Sequence, residues 1–280
     1  MRTALVLAAH GSAQQPSVNE AVRSLASDAG RRLGFDEAVA AFHHGEPRFA
    51  EVLGNLHGAT IIVVPLMAAA GYYSGVVLPR ELRKNARYAE AEIALTKPVG
   101  THPGMVRVAA KRLSRMIRRM DAVASQTSVI VVGHGTSRHA RSRGSTEHLA
   151  QKLVDQRRCA QAVTAYLDDH PPLETAVRRT TQPFVVVLPF LLGAGAHGIG
   201  DVPRRLGIAR NASSALPRSV ESSSRRIIVD RPLGIDPDVA NVVIDLARSA
   251  MRRRHAAIAP EATPLDDRLT MREGCQEDWA

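Results

Sequence analysis

The stretch Leu7-Ala8-Ala9-His10-Gly11-Ser12 returns 124 residues further on as Val131-Val132-Gly133-His134-Gly135-Thr136. Each copy is an apolar run that stops at a histidine followed by a glycine. Outward from it the same offset holds, with Ile61-Ile62-Val63-Val64-Pro65-Leu66 returning as Val185-Val186-Val187-Leu188-Pro189-Phe190. Gly71, Pro79, Arg80 and Leu82 then fall on Gly195, Pro203, Arg204 and Leu206. Self-similarity at a fixed period marks a duplicated structural unit. It also supplies an internal comparison, because a residue kept in one copy and lost in the other tells which copy retains its chemistry.

Short β-branched runs alternate with longer helical patterns in both copies. The first reads as strands near 3–9, 37–42, 60–65 and 91–95, with helices near 17–33, 47–56, 77–86 and 104–120. The second reads as strands near 128–133, 160–166, 184–189 and 226–229, with helices near 143–156, 172–179, 201–208 and 237–252. The strands are continuously apolar rather than alternating, as strands buried on both faces are. Strand–helix alternation then predicts α/β architecture: two tandem doubly wound domains, each a four-stranded parallel sheet flanked by helices. The domains expected are 1–122 and 123–252, followed by a flexible tail, 253–280, rich in proline and mixed charge.

The 280 residues are 45% hydrophobic, enough for a real core, but only 4% aromatic. So few rings argue against recognition of single-stranded nucleic acid by stacking. The formal charge of +10 calls for an acidic partner or a solvated surface. The arginines are scattered along helices without a helix-turn-helix, zinc-finger or RNP signature, so a small polyanion is expected and nucleic acid is not. Cys159 and Cys275 form no C-x-x-C pair, so neither a disulfide framework nor a zinc cluster is predicted. The chain enters a strand pattern at once, and no apolar run approaches the roughly 20 residues that span a bilayer. A cytoplasmic protein with no membrane partner is the expectation.

Ligands of parallel α/β sheets bind beyond the carboxyl ends of the strands, where His10 and His134 stand. Histidine there can ligate a metal or move a proton near neutral pH. The 124-residue offset adds two positions. Asp168 falls opposite His44, and His197 falls opposite Tyr73. The second copy thus collects His134, Asp168 and His197 at three strand ends, a set suited to a divalent first-row metal. The first copy holds His10, His44 and Tyr73. Tyrosine is a poor ligand while its phenol keeps a proton, with a reference pKa of about 10.

These residues resemble the class II chelatases of the sirohydrochlorin type, in the two-repeat form. The resemblance covers about 250 residues, from the H-G-[ST] motif after the first strand to the P-x-x-x-x-x-G-x-H loop before a [DV]-x-P-R-x-L helix start, with Glu46-Pro47 also similar. It implies a lyase that inserts Fe(II) or Co(II), as substrate, into a polycarboxylate tetrapyrrole for sirohaem or cobalamin biosynthesis, with no organic cofactor. The family's two histidines and acidic residue carry over onto His134, His197 and Asp168 as catalytic residues. His134, His197 and His10 are the implied metal contacts. Two fused copies can form internally the cleft that single-copy relatives build by dimerising, so a monomer is expected.

Metallation removes two pyrrole protons while a hydrated ion sheds water. One histidine can take a proton, another can hold the ion, and the carboxylate can orient a ring or offset charge. Arg138, Arg141, Arg143 and Arg204 are candidate partners for substrate carboxylates. A phosphohistidine transferase would place Arg before His-Gly, where Ala9 and Gly133 stand. A serine hydrolase at Ser12 lacks the G-x-S-x-G elbow. The remaining alternative is a non-catalytic tetrapyrrole- or metal-binding protein derived from a chelatase.

Overall fold

The computed structural model describes residues 2–13, 16–56, 59–89, 92–136, 141–192, 200–207, 216–222 and 225–256. The repeat is reproduced residue for residue in its first three strands. β1 (Thr3–Ala9), β2 (Glu37–Phe42) and β3 (Thr60–Pro65) recur as β5 (Thr127–Gly133), β6 (Gln161–Tyr166) and β7 (Phe184–Pro189). β4 (Glu92–Leu95) and β9 (Arg225–Val229) complete the parallel strands, in the orders β2-β1-β3-β4 and β6-β5-β7-β9. Every residue of β3 and of β5 is buried, which is why those strands read as unbroken apolar runs.

The second sheet corrects the expectation of four parallel strands. A fifth strand, β8 (Arg218–Ser222), pairs antiparallel with β9 at the sheet edge. Thr60 pairs with Glu92 in the first sheet, but Phe184 pairs with Arg226 in the second, so the offset grows from 124 to 134. A short, polar edge strand carries no apolar run to mark it, and edges are commonly blunted in this way.

The helices are α1 (Pro16–Leu33), α2 (Phe49–Asn55), α3 (Leu78–Ala89) and α4 (Gly104–Arg119) in the first copy. In the second they are α5 (Arg141–Asp155), α6 (Leu173–Arg179), α7 (Val202–Arg205) and α8 (Val239–Ala256). α7 is shorter than its expected span. α8 runs past 252 into the segment read as tail, and residues from 257 onward lie outside the described residues. Among the described residues no helix is long and apolar enough to cross a membrane.

The copies exchange their last helices. α4 packs on β7 and α5 of the second copy, whereas α8 packs on β3 and α1 of the first. One apolar core therefore runs through both sheets: Leu5, Leu7, Ile62 and Val64 join Val129, Val131, Val186 and Leu188 through Leu113 and Met116 of α4 and Val243 and Ala247 of α8. The entry into each exchanged helix is built alike. The N–H of Gly100 donates to Met67 O at 2.9 Å, and that of Gly234 to Leu191 O at 3.0 Å. A Cβ on Gly100 would come within 2.1 Å of Ala68 O, and one on Gly234 within 2.5 Å of Leu192 Cα. Only glycine lets the backbones approach this closely.

One polar cluster breaks the symmetry of this seam. Arg112 of α4 donates from Nε to Asp230 at 2.8 Å, from Nη2 to Asp230 at 2.5 Å and from Nη1 to Asp236 at 3.3 Å. Arg112, Asp230 and Asp236 are the buried charged residues among those described. Arg112 lies on the buried face of α4, one helical turn from both Val108 and Met116, and the two aspartates flank the turn that enters α8. Breaking a buried pair strands a charge at a cost of about 3–5 kcal/mol. Arg112→Ala is accordingly expected to lower unfolding free energy by about that amount in urea denaturation, whereas a loss below ~1 kcal/mol would contradict the seam's reliance on this contact.

Candidate active site

Both histidine loops leave the carboxyl ends of the central strands with the same backbone. Gly11 has φ +73° and Gly135 φ +70°, the left-handed region that glycine tolerates without strain. Space makes the same demand. A Cβ on Gly11 would lie 2.2 Å from His44 O, and one on Gly135 would lie 2.8 Å from the Cβ of both Tyr166 and Asp169. The turn brings the loop after β1 against that after β2, and the loop after β5 against that after β6. His44 N–H donates to His10 O at 2.8 Å, and Asp168 N–H donates to His134 O at 3.0 Å.

In the second copy this juxtaposition yields a carboxylate–imidazole pair. Asp168 Oδ2 lies 2.9 Å from His134 Nδ1, with both side chains 56% exposed. The two residues are thus in direct contact at a solvent-accessible position. His197 lies outside the described residues.

The first copy gathers rings instead. His10 stacks on His43 with centroids 5.7 Å apart and meets His44 and Tyr73 edge-on, each at 5.1 Å. His43 lies 4.4 Å from His44 and 5.0 Å from Tyr73. His43 was not singled out in the sequence, because the repeat pairs it with Leu167; the His43-His44 doublet was the available signal. Tyr73 opens a π-helical turn, Tyr73–Val77, that leads into α3. Its hydroxyl is buried and has no hydrogen-bond partner among the described residues. Burial, reinforced by Glu81, pushes the phenol well above its ordinary value, so Tyr73 stays protonated.

Although His10 is solvent-exposed by area, burial of its ring, followed by His44, His43 and His134, lowers its pKa to about 4. The contribution from His134 puts the histidine loops of the two copies within electrostatic reach of each other. Among the described residues no group of three or more histidine, cysteine or acidic side chains is arranged to hold a metal ion. Two cavities of about 260 and 270 Å³ lie away from these loops, along the seam between α4 and α5 and between α8 and α1.

The candidate arginines fare differently. Arg143 is engaged in a two-pronged contact with Asp169, at 2.7 and 2.6 Å. Arg204 pairs with Asp201 at 3.0 Å on the surface. Arg138 and the side chain of Arg141 lie outside the described residues.

The sign of the His10 effect is testable. Its imidazolium is disfavoured in the folded chain, so on acidification the unfolded chain binds this proton first. The resulting contribution is absent above about 6.5 and destabilises progressively as pH falls toward about 4. His10 is expected to titrate near 4 by NMR, and His10→Gln is expected to flatten the loss of stability across that window. A midpoint at the ordinary 6.5 would contradict the ring packing.

Comparison with known proteins places this geometry. The chain is 27% identical over 267 residues to a probable sirohydrochlorin cobaltochelatase of Halobacterium salinarum, covering 88% of this chain and 91% of that one. SirB from Bacillus subtilis, solved with Fe3+, has the same fold: TM-score 0.71 at 17% identity, over 92% of this chain and 98% of that one. A multi-domain protein of Deinococcus radiodurans with structural similarity to chelatases superposes with TM-score 0.66 at 24% identity, over 88% of this chain and 54% of its own longer one. The CbiX family model matches twice, over residues 4–116 and 128–250, one match to each copy of the repeat, and the chain belongs to the CbiX family.

Proposed function

We propose that the chain is a sirohydrochlorin chelatase that inserts a divalent first-row metal, Fe(II) or Co(II), into the tetrapyrrole at the second-copy site. The observation that carries this reading is the Asp168–His134 contact at 2.9 Å, at a strand end and within electrostatic reach of His10. A carboxylate on Nδ1 fixes the ring's orientation, leaving the metal- or proton-binding role to Nε2. His197 is the residue proposed to complete the set. One histidine receives the incoming ion as substrate while the other takes the two pyrrole protons in turn, passing the first to water before it accepts the second; Asp168 offsets the positive charge gathered there.

The first copy forms the opposing wall. It has His44 where the second copy has Asp168, and Tyr73 retains its proton, so this wall is the weaker holder of the ion. His10 is proposed as a secondary metal contact from that side. Membership of the CbiX family and likeness to a cobaltochelatase both support the metal-chelatase reading. A lyase acting in sirohaem or cobalamin biosynthesis in a reducing cytoplasm, where ferrous ion persists, is the setting proposed.

The test is an anaerobic spectroscopic assay of sirohydrochlorin with Fe(II) and, separately, Co(II). His134→Ala and His197→Ala are expected to abolish insertion. Tyr73→Phe is expected to keep most of it, since the hydroxyl it removes makes no hydrogen bond to the described residues. Equal losses from Tyr73→Phe and His197→Ala would refute the division between the copies. Tetrapyrrole binding without accelerated insertion would identify a non-catalytic binder instead.

A further inference from the structure

The repeat gives Arg143 a counterpart, Asn19, and Asp169 a counterpart, Gly45. In the first copy Asn19 braces the histidine loop directly. Its Oδ1 accepts from Ser12 N–H at 2.9 Å, and its Nδ2 donates to Ser12 O at 3.0 Å. Gly45 is compatible with that brace because a Cβ there would meet Asn19 Nδ2 at 2.5 Å. In the second copy the same helical position grips the other loop, the one that carries Asp168.

That grip is tight. Arg143 donates from Nε and Nη2 to the two carboxylate oxygens of Asp169, whose side chain is only 3% exposed. Asp169 Oδ1 also accepts from His170 N–H at 2.8 Å. The guanidinium sits 5.6 Å from the Tyr166 ring centroid, on the residue that ends β6. Fork-to-fork contacts of this kind add directional rigidity as well as energy. The change of brace accompanies the change of chemistry, since His44 stands in the first copy where Asp168 stands in the second.

Resting on the chelatase reading above, we propose that Arg143 is a positioning residue of the insertion site: through its two-pronged hold on Asp169 it fixes the loop from Tyr166 to His170 and thereby aims the Asp168 carboxylate at His134. Arg143 touches neither the ion nor the macrocycle in this role. Lysine keeps the charge but presents a point donor in place of the planar fork. Arg143→Lys should therefore loosen Asp168 while leaving the charge balance intact.

Two readouts on the full chain test the proposal. In the insertion assay, Arg143→Lys is expected to lower kcat about tenfold, at the lower end of what loss of an outer partner costs a metal site, with KM for sirohydrochlorin changed less than about twofold. An increase in KM at unchanged kcat would overturn it and make Arg143 a substrate-carboxylate contact. The second readout is Co(II) binding without tetrapyrrole, followed by the visible absorption of the bound ion, where about tenfold weaker binding is expected. Unchanged Co(II) affinity would overturn the proposal even if the wild-type chain inserted no metal, a result that would separately defeat the chelatase reading. Asp169→Asn removes the same contact from the other side and is expected to match Arg143→Lys in both readouts. Should one variant fail to fold, the other decides.

Discussion

The exchange of α4 and α8 is the constraint on which the rest of the molecule depends. A parallel sheet buried on both faces must be covered on both, and each sheet here is covered on its inner face partly by the other copy's last helix. Neither sheet completes that inner face with its own helices alone. The reciprocal arrangement also fixes how the copies face each other, which brings His10 within electrostatic reach of His134. The cleft is thus a consequence of core packing. Arg112 works inside this seam, where Asp230 and Asp236 hold the first copy's last helix to the entry of the second's.

Much of this was legible in the chain. A fixed offset of 124 residues located the first three strands of both sheets almost to the residue, because buried parallel strands and their glycine turns tolerate little variation. β8 was not legible, since the polar sequence Arg218–Ser222 lacks the apolar run that betrays a buried strand, and its insertion moved the offset to 134. The exchange was invisible for a different reason. Amphipathic periodicity shows that a helix has an apolar face, but two near-identical sheets offer that face equivalent partners. Arg112 was readable in hindsight, because it falls four residues after Val108 and four before Met116, on the apolar stripe of α4.

At the site, residue type and spacing singled out His134 and Asp168, which the structure brings into contact, but could not show what the arginines around them touch. The contact of Arg143 with Asp169 was hidden because the two lie 26 residues apart on different elements. Sequence spacing along a helix predicts neighbours three and four positions distant, and nothing beyond. His43 escaped for a related reason. Its importance comes from packing on His10 and Tyr73, residues far from it in the chain. The repeat showed which positions had diverged without showing which divergences were coupled. The paired change from Asn19 and Gly45 to Arg143 and Asp169 became visible only as a contact.

The divergence of the copies follows from the electrostatics of receiving a dication. A positive charge ~5 Å from a divalent ion, at an effective dielectric of ~20, costs on the order of 6–7 kcal/mol. A wall of protonated histidines would repel the substrate metal. Burial of His10, followed by the charges of His44 and His43, removes that penalty for this ring, because its pKa falls to about 4. The opposite wall does the reverse, setting the Asp168 carboxylate on His134 where positive charge must be accommodated. One duplicated backbone thereby presents a cluster of rings in one copy and a carboxylate–imidazole pair in the other, an asymmetry that a symmetric pair of sites would lack.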